Sequence, residues 1–276
     1  MIYCKQLNKE FETKEEMFKA IYANLDIIVK EKKKLQFSCN KNASVTLRPL
    51  NGLNLSDEVK ASFQMDDAYY YIVVNTTMIL DSHDDLHIDG IWDESVVQDQ
   101  GKNYLLADHY YSMMNTLVKK EYIEMVLIKL PFAALKQSYA GNTQALVYKF
   151  PKDKVVNQFA KDWLESEDEI QASVRMQYEE LEFALDSNDP DFKKEKANYD
   201  KYISKIANKS DFDYIYYFFI IKKATNRLES SLVLKGSNHV TGNLLDDMEQ
   251  KEFQEQGNKV DPTNVSQKLT SSLLLI

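Results

Sequence analysis

The sequence predicts an α+β fold, in which strands and helices occupy separate stretches of the chain. Three observations predict it. Apolar residues near the N-terminus recur at helical spacing, and a charged helical pattern follows residue 192. Between these stretches and after them, runs of β-branched and aromatic residues alternate with turn formers. Glycine (7) and proline (5) are scarce, so the chain is not a low-complexity segment.

The first predicted element is an amphipathic helix over residues 14–35. Thr13 and Glu16 form a capping-box signature, in which the threonine hydroxyl accepts a hydrogen bond from an amide of the first turn. Apolar residues then follow at helical spacing, at Met17, Ile21, Leu25 and Ile28. Lysines crowd the end of this helix, where a solvated positive charge complements the helix dipole. They are Lys30, Lys32, Lys33 and Lys34.

The later elements are mostly strands. Strands are predicted at 69–74, 122–130, 144–150, 170–185, 213–221 and 228–234, and helices at 155–164 and 192–209. The strand over 170–185 changes phase, because its apolar residues have one parity up to Tyr178 and the other parity from Leu181. Such a slip indicates a bulge or bend near Glu179 and Glu180. Residues 81–93 are rich in turn formers, and Asp89-Gly90 is the strongest turn signal.

Composition excludes several functional classes. The net charge of −9 argues against a general nucleic-acid-binding protein, because phosphate contacts need a basic surface. No run of about 18 apolar residues predicts a membrane span. The polar N-terminus does not resemble a secretory signal, and two cysteines, Cys4 and Cys39, fit a reducing cytoplasm. After Thr241 the chain becomes polar, so we expect one domain over 1–241 and a weakly ordered tail over 242–276.

Ser173, His109 and Glu229 are the residues that could carry chemistry. Ser173 should lie on the strand face opposite Ala172 and Val174, where it would be accessible, as a hydroxyl nucleophile must be. His109 is a candidate general base, because histidine titrates near neutral pH. Its neighbour Asp108 would point the other way on an extended strand. From the local pattern alone, a residue such as any of these three is more often an ordinary polar residue than a catalytic one.

Several motifs occur together in a recognisable order. They are Asp81-Ser82-His83-Asp84-Asp85, Asp89-Gly90-Ile91-Trp92, the segment from Tyr104 to His109, the strand from Gln171 to Leu185, and the segment from Leu228 to Asn238. In this order and at these spacings, the chain resembles the prohead maturation proteases of tailed bacteriophages, a family distantly similar to herpesvirus assemblin. The resemblance covers roughly residues 1 to 241.

The resemblance implies a fold and a set of site residues. The fold would be a mainly antiparallel, barrel-like β-sheet core with packed helices. Ser173 would be the nucleophile, His109 the base and Glu229 the third member of a triad, while a backbone N–H near Val174 or Arg175 would stabilise the oxyanion. Many relatives have a glycine where this chain has Arg175, whose bulk and charge would change the site.

The resemblance also implies a function. The protein would be a serine endopeptidase that cleaves capsid and scaffold proteins during prohead maturation, inside the prohead in the host cytoplasm. Its partners would be the major capsid protein with its scaffold segment, and a second copy of itself. No cofactor, nucleic acid or membrane is expected to take part.

Two other interpretations remain open. The chain could be a catalytically inactive scaffolding or internal capsid protein with the same fold, which Arg175 would favour. It could also be a metal-dependent hydrolase built on His83 and His87, which stand among Asp84, Asp85 and Asp89. A His-x3-His pair binds zinc well on a helix. The turn formers around this pair predict a strand end instead, so we expect no metal site there.

Overall fold

The part of the chain that the structure describes contains short helices and three β-sheets, as expected for an α+β fold. The computed structural model describes residues 1–38, 65–81, 83–135, 137–165 and 171–233. All of them lie within the unit Met1–Val240. The predicted tail, 242–276, and Cys39 lie outside the described residues.

The helices and strands are as follows. The helices are α1 (Lys14–Ala23), α2 (Leu25–Lys32), α3 (Asp93–Gln98), α4 (Gln158–Glu165) and α5 (Lys193–Tyr202). The strands are β1 (Ile2–Cys4), β2 (Lys9–Phe11), β3 (Leu35–Ser38), β4 (Tyr69–Thr76), β5 (Asp85–His87), β6 (Tyr104–Ala107), β7 (Thr116–Val118), β8 (Glu124–Pro131), β9 (Asn142–Pro151), β10 (Gln171–Leu185) and β11 (Tyr217–Val233). Within the described ranges, no helix is both long and apolar enough to cross a bilayer.

The largest sheet is mixed and holds β10 and β11 at its centre. Its order is β3-β10-β11-β6-β7, and β5 also pairs with β11. Strand β10 runs antiparallel to β3 and β11, whereas β5 and β6 run parallel to β11. The second sheet, β4-β9-β8, is antiparallel, and β1 pairs with β2 alone. Among the described residues none of the three sheets closes into a barrel, so the barrel-like core is not observed.

The N-terminal helix is interrupted, which corrects the single helix predicted over 14–35. The Thr13 hydroxyl accepts from the Glu16 amide at 3.2 Å, so the predicted N-cap is confirmed. Helix α1 then ends at Asn24, whose side-chain amide donates to the carbonyl of Ala20 at 2.9 Å. Asparagine side chains compete for backbone groups in this way and weaken a helix interior. Helix α2 restarts at Leu25.

The two last predicted strands are one strand, β11. Its apolar run is continuous because both of its faces are covered. Phe219 and Ile221 belong to the main core, whereas Phe218 and Ile220 pack in a second cluster with Tyr199 of α5. The predicted slip near Glu179 and Glu180 is confirmed by shifts in the β10–β11 register. The shifts lie between Tyr178 and Glu180 and between Glu180 and Leu181.

The remaining predicted elements are present with altered ends. Strands β4, β8 and β9 correspond to the runs predicted at 69–74, 122–130 and 144–150. The predicted helix at 155–164 corresponds to α4, which begins only at Gln158, and the predicted helix at 192–209 corresponds to α5, which is shorter because 3-10 turns occupy its flanks. The predicted turn segment over 81–93 contains the short strand β5.

Candidate active site

His109 lies in a tight turn that begins where β6 ends. The amide of Tyr110 donates to the carbonyl of Ala107 at 3.0 Å, and the two central residues, Asp108 and His109, have φ of 54° and 56°. Two successive positive φ values define a type I′-like turn, which most side chains resist. The expectation that Asp108 and His109 lie on an extended strand is therefore wrong.

Two hydrogen bonds attach this turn to β11. The Asp108 amide donates to the carbonyl of Leu232, and the His109 amide donates to the hydroxyl oxygen of Ser231, each at 3.0 Å. Backbone strain of this kind persists where surrounding contacts hold it. The position of the His109 ring is thus determined by β11 rather than by its own strand.

Glu229 lies at the end of a bulge in β11. Val174 of β10 pairs with Ser230, and Met176 pairs with Asn226. Residues 227–229 of β11 therefore face the single residue Arg175 of β10. In the bulge, Leu228 has φ of 71° and is 50% exposed, whereas Glu229 is fully buried. The bulge turns Leu228 outward, so Leu228 does not share the buried face of Ser230 as it would in an unbroken strand.

Glu229, His109 and Ser231 form a closed set of hydrogen bonds. One carboxylate oxygen of Glu229 lies 2.8 Å from Nδ1 of His109, and the other accepts from the Ser231 hydroxyl at 2.7 Å. An ionised carboxylate can only accept, so Nδ1 carries the proton in this pair. In the neutral ring, Nε2 is then the nitrogen that can accept a proton. Ser231 was not singled out from the sequence, although it lies two residues after Glu229 and therefore on the same strand face.

Ser173 lies directly opposite Ser231 on the neighbouring strand. Residues paired in this way point to the same face, with Cα atoms about 4.5–5.5 Å apart. Ser173 therefore shares a sheet face with Ser231 and Glu229. It is fully buried, so the expectation of an accessible serine is wrong. Its strand, β10, lies between β3 and β11 in the sheet.

The candidate oxyanion residues follow Ser173 on β10. Val174 is fully buried and pairs with Ser230. Arg175 is partly buried, faces the bulge of β11 and pairs with Phe37 of β3 on its other side. The bulge interrupts the regular β10–β11 ladder at Arg175. Ladder interruptions free backbone groups for other partners.

The carboxylates around His83 and His87 stabilise the local fold by accepting hydrogen bonds. One oxygen of Asp81 accepts from the amides of His83 and Asp85, at 2.8 and 2.9 Å, and so closes a tight loop. Asp89 accepts from the hydroxyl of Thr77. Within the ranges described, no group of three or more histidine, cysteine or acidic side chains could hold a metal ion. Among these residues, His83 and His87 are therefore not grouped with other side chains that could bind a metal ion with them.

His87 belongs to a buried network that the sequence did not predict. Its ring nitrogens lie 3.0 Å from the Tyr178 hydroxyl and 3.3 Å from the Asn75 side-chain oxygen. Tyr178 also donates to Asp85 at 3.1 Å, and Lys32 donates to the other oxygen of Asp85 at 2.5 Å. Burial lowers the pKa of His87 to about 3, so its ring is neutral at physiological pH. Burial also raises the pKa of Asp85, although Lys32 opposes this shift.

Lys32 was expected on a solvated helix end, and this expectation is wrong. Its residue is only 9% exposed, and its ammonium lies 4.4 Å from the centre of the Phe219 ring. Lys32 follows Ile28 by four residues, so it continues the buried stripe of α2. Its charge is compensated there by Asp85.

The comparisons with known proteins do not identify the chain. No protein-family model, curated protein or solved structure matches it significantly.

Proposed function

We propose that the protein is a serine endopeptidase. The observation that carries this proposal is the partly buried Glu229–His109 pair, hydrogen-bonded at 2.8 Å and linked through Ser231 to the strand position opposite Ser173. A carboxylate, an imidazole and a hydroxyl are the parts of a serine-protease triad, and we assign the hydroxyl to Ser173 because it shares a sheet face with Ser231 and Glu229.

The proposed reaction follows from the roles of the three side chains. Ser173 Oγ attacks the scissile carbonyl, and its proton passes to Nε2 of His109. Glu229 holds the proton on Nδ1 and stabilises the imidazolium that forms. His109 then protonates the leaving amine as the C–N bond breaks, which leaves an acyl-enzyme. Water, deprotonated by His109, releases the second product and restores Ser173.

Oxyanion stabilisation is assigned to β10 in this proposal. A backbone N–H near Val174 or Arg175 would donate to the carbonyl oxygen as it gains charge, because preorganised donors are the largest single contribution in such sites. The bulge opposite Arg175 supports this assignment, since it interrupts the regular β10–β11 ladder two residues after Ser173. The Arg175 guanidinium adds a cation on the strand that carries the nucleophile.

The substrate and location in this proposal rest on the resemblance to prohead proteases. The substrates would be the major capsid protein and its scaffold segment, cut inside the prohead within the host cytoplasm. Self-association and the barrel-like core belong to the same proposal. Since Ser173 is fully buried, substrate entry requires a movement that uncovers it.

A second candidate function is a catalytically inactive scaffolding or internal capsid protein with the same fold. The complete burial of Ser173 favours it, because a nucleophile needs access to its substrate. The presence of Arg175 where many relatives have glycine favours it as well.

A serine-directed fluorophosphonate probe separates the two candidates. We expect the full-length protein to be labelled, and peptide mapping to place the adduct on Ser173. Ser173→Ala should not be labelled, whereas Ser230→Ala, the matched control on the other face of β11, should be labelled normally. Co-expression with the neighbouring capsid gene, followed by mass measurement of the products, then tests for processing. Absence of both labelling and processing, in the parent and in Arg175→Gly, would favour the scaffolding function.

A further inference from the structure

An apolar cleft lies beside the turn that carries His109. Its volume is about 410 Å³, within the usual range of roughly 300–1,000 Å³ for ligand pockets. We call it the aromatic cleft, and it is lined by Tyr104, Leu106, Tyr111, Ser112, Met113 and Thr116. The rings of Tyr104 and Tyr111 meet edge to face, with centroids 5.8 Å apart, and form one wall.

The aromatic cleft lies on the same sheet face as the candidate triad. Leu106 of β6 pairs with Ser231, and Tyr104 pairs with Glu229. Residues side by side on neighbouring strands point to the same face, so Leu106, Ser231 and Ser173 form one row across three strands. Two strand spacings put the Cα atoms of Leu106 and Ser173 roughly 10 Å apart. An extended peptide advances about 3.3 Å per residue, so the cleft is within two or three residues of the attacked bond.

Two of the hydroxyl groups that line the cleft already make hydrogen bonds within their own loop. The Ser112 hydroxyl donates to Asn115 at 2.9 Å, and the Thr116 hydroxyl donates to the carbonyl of Ser112 at 2.9 Å. A charged side chain entering the cleft would lose water without gaining a partner from these residues, which is costly. The lining therefore favours an apolar side chain.

The rim of the cleft exposes apolar side chains to solvent. Tyr111 is 57% exposed and Met113 is 93% exposed. Patches of this kind mark binding sites, and methionine adapts its shape to different partners.

We propose that the aromatic cleft is a specificity subsite, which holds one apolar side chain of the substrate close to the scissile bond. The proposal rests on the proposed function, because the position of the cleft matters only if Ser173 and His109 act on a peptide. The substrate class is then an extended polypeptide with a methionine, leucine or aromatic residue within three positions of the cleaved bond.

The test is cleavage-site profiling with a proteome-derived peptide library. The full-length protein is incubated with the library, and the cleaved bonds are identified by mass spectrometry. We expect apolar residues to be enriched at one fixed position. Met113→Lys should lower kcat/KM for the preferred peptides tenfold or more, since differences in apolar pocket contacts are worth about 10–200-fold. Met114→Lys is the matched control, because Met114 is also highly exposed, at 84%, but does not line the cleft.

Each outcome bears on one proposal or on both. The subsite proposal alone would be overturned if Met113→Lys and Met114→Lys changed kcat/KM equally. It would also be overturned if Ser173 were labelled but the cleaved peptides showed no preference for apolar residues. Absence of fluorophosphonate labelling and of any cleavage would overturn the endopeptidase function and the subsite with it. Both variants replace exposed side chains, so a folding defect does not confound the comparison, and circular dichroism checks this.

Discussion

The carboxylate of Glu229 lies 2.8 Å from Nδ1 of His109, although 120 residues separate them in the chain. The parallel pairing of β6 with β11 brings them together, since Tyr104 lies beside Glu229 and Ala107 beside Leu232. The turn after β6 then returns the His109 amide to Ser231. The relation between the two side chains therefore depends on strand register and on one turn.

Replacing either candidate catalytic residue should abolish proteolysis without unfolding the protein. Ser173→Ala should reduce kcat on the order of a millionfold, and His109→Ala should do the same. The double variant should be no worse than either single variant, because the two residues act as a unit. Turnover of a capsid-derived peptide and the circular dichroism spectrum are measured in parallel. If Ser173→Ala cleaves the peptide as fast as the parent, the nucleophile is another residue.

Glu229→Gln should leave the contact geometry but remove the charge that holds the Nδ1 proton. The amide can present its NH2 group to the histidine and select the wrong tautomer, so kcat should fall roughly ten-thousandfold. The rate of fluorophosphonate labelling should fall with it. Glu180→Gln, a change to an exposed carboxylate elsewhere in the sheet, is the control. Equal labelling of the two variants would remove Glu229 from the site.

Ser231→Ala should impair catalysis although Ser231 has no direct part in the reaction. Its hydroxyl bonds both the His109 amide and Glu229, and a hydrogen bond to a charged group contributes about 1.5–3 kcal/mol. We expect kcat to fall roughly tenfold to a hundredfold with KM unchanged, and Ser231→Thr to restore most of the loss. In Ser230→Ala, the neighbouring serine of the opposite face is removed, and kcat should not change. A matching loss in that variant would mean that the effect is general destabilisation.

His87 should make the protein less stable as the pH falls. In the unfolded chain a histidine binds a proton as the pH falls through about 6.5. Folded His87 stays neutral down to a pKa of about 3, chiefly because it is buried. The unfolded state therefore binds one more proton between these values, and the free energy of unfolding falls with decreasing pH by up to about 1.4 kcal/mol per unit.

The His87→Gln variant isolates this contribution. Glutamine can still reach Asn75 and Tyr178 but does not titrate, so the decline in stability from pH 6 to pH 4 should be shallower than in the parent. Urea unfolding at several pH values measures both slopes. Identical slopes would mean that the pKa of His87 is the same in the folded and unfolded states.

Local sequence patterns predicted the helices and strands but not the tertiary contacts between them. The irregularity in β10 was predictable because strand side chains alternate between two faces, so an inserted residue shifts the apolar residues from one parity to the other. The burial of Lys32 was not predicted, because its ion-pair partner Asp85 lies 53 residues away and local sequence patterns do not reveal such a pair. Its spacing of four from Ile28 was nevertheless a usable sign of burial.

The geometry of the candidate site was predictable only in part. Ser173, His109 and Glu229 came from motif order, whereas the turn at Asp108 and His109 carries neither the glycine nor the asparagine that usually marks positive φ. The outward rotation of Leu228 likewise depends on the mismatch in length between β10 and β11. Both features arise from tertiary pairing, which overrides local preference.

The unequal anchoring of the site residues has a consequence for how the protein would lose activity on warming. Ser173, Ser231 and Glu229 lie on the two central strands, whose amide hydrogens should exchange with solvent only when the whole sheet opens. His109 sits on a four-residue turn, joined to β11 through the amides of Asp108 and His109. That turn can open by itself at a smaller free-energy cost. On warming, activity should therefore be lost before the protein unfolds. The loss should be reversible, because the turn that carries His109 opens while β10, which carries Ser173, stays folded.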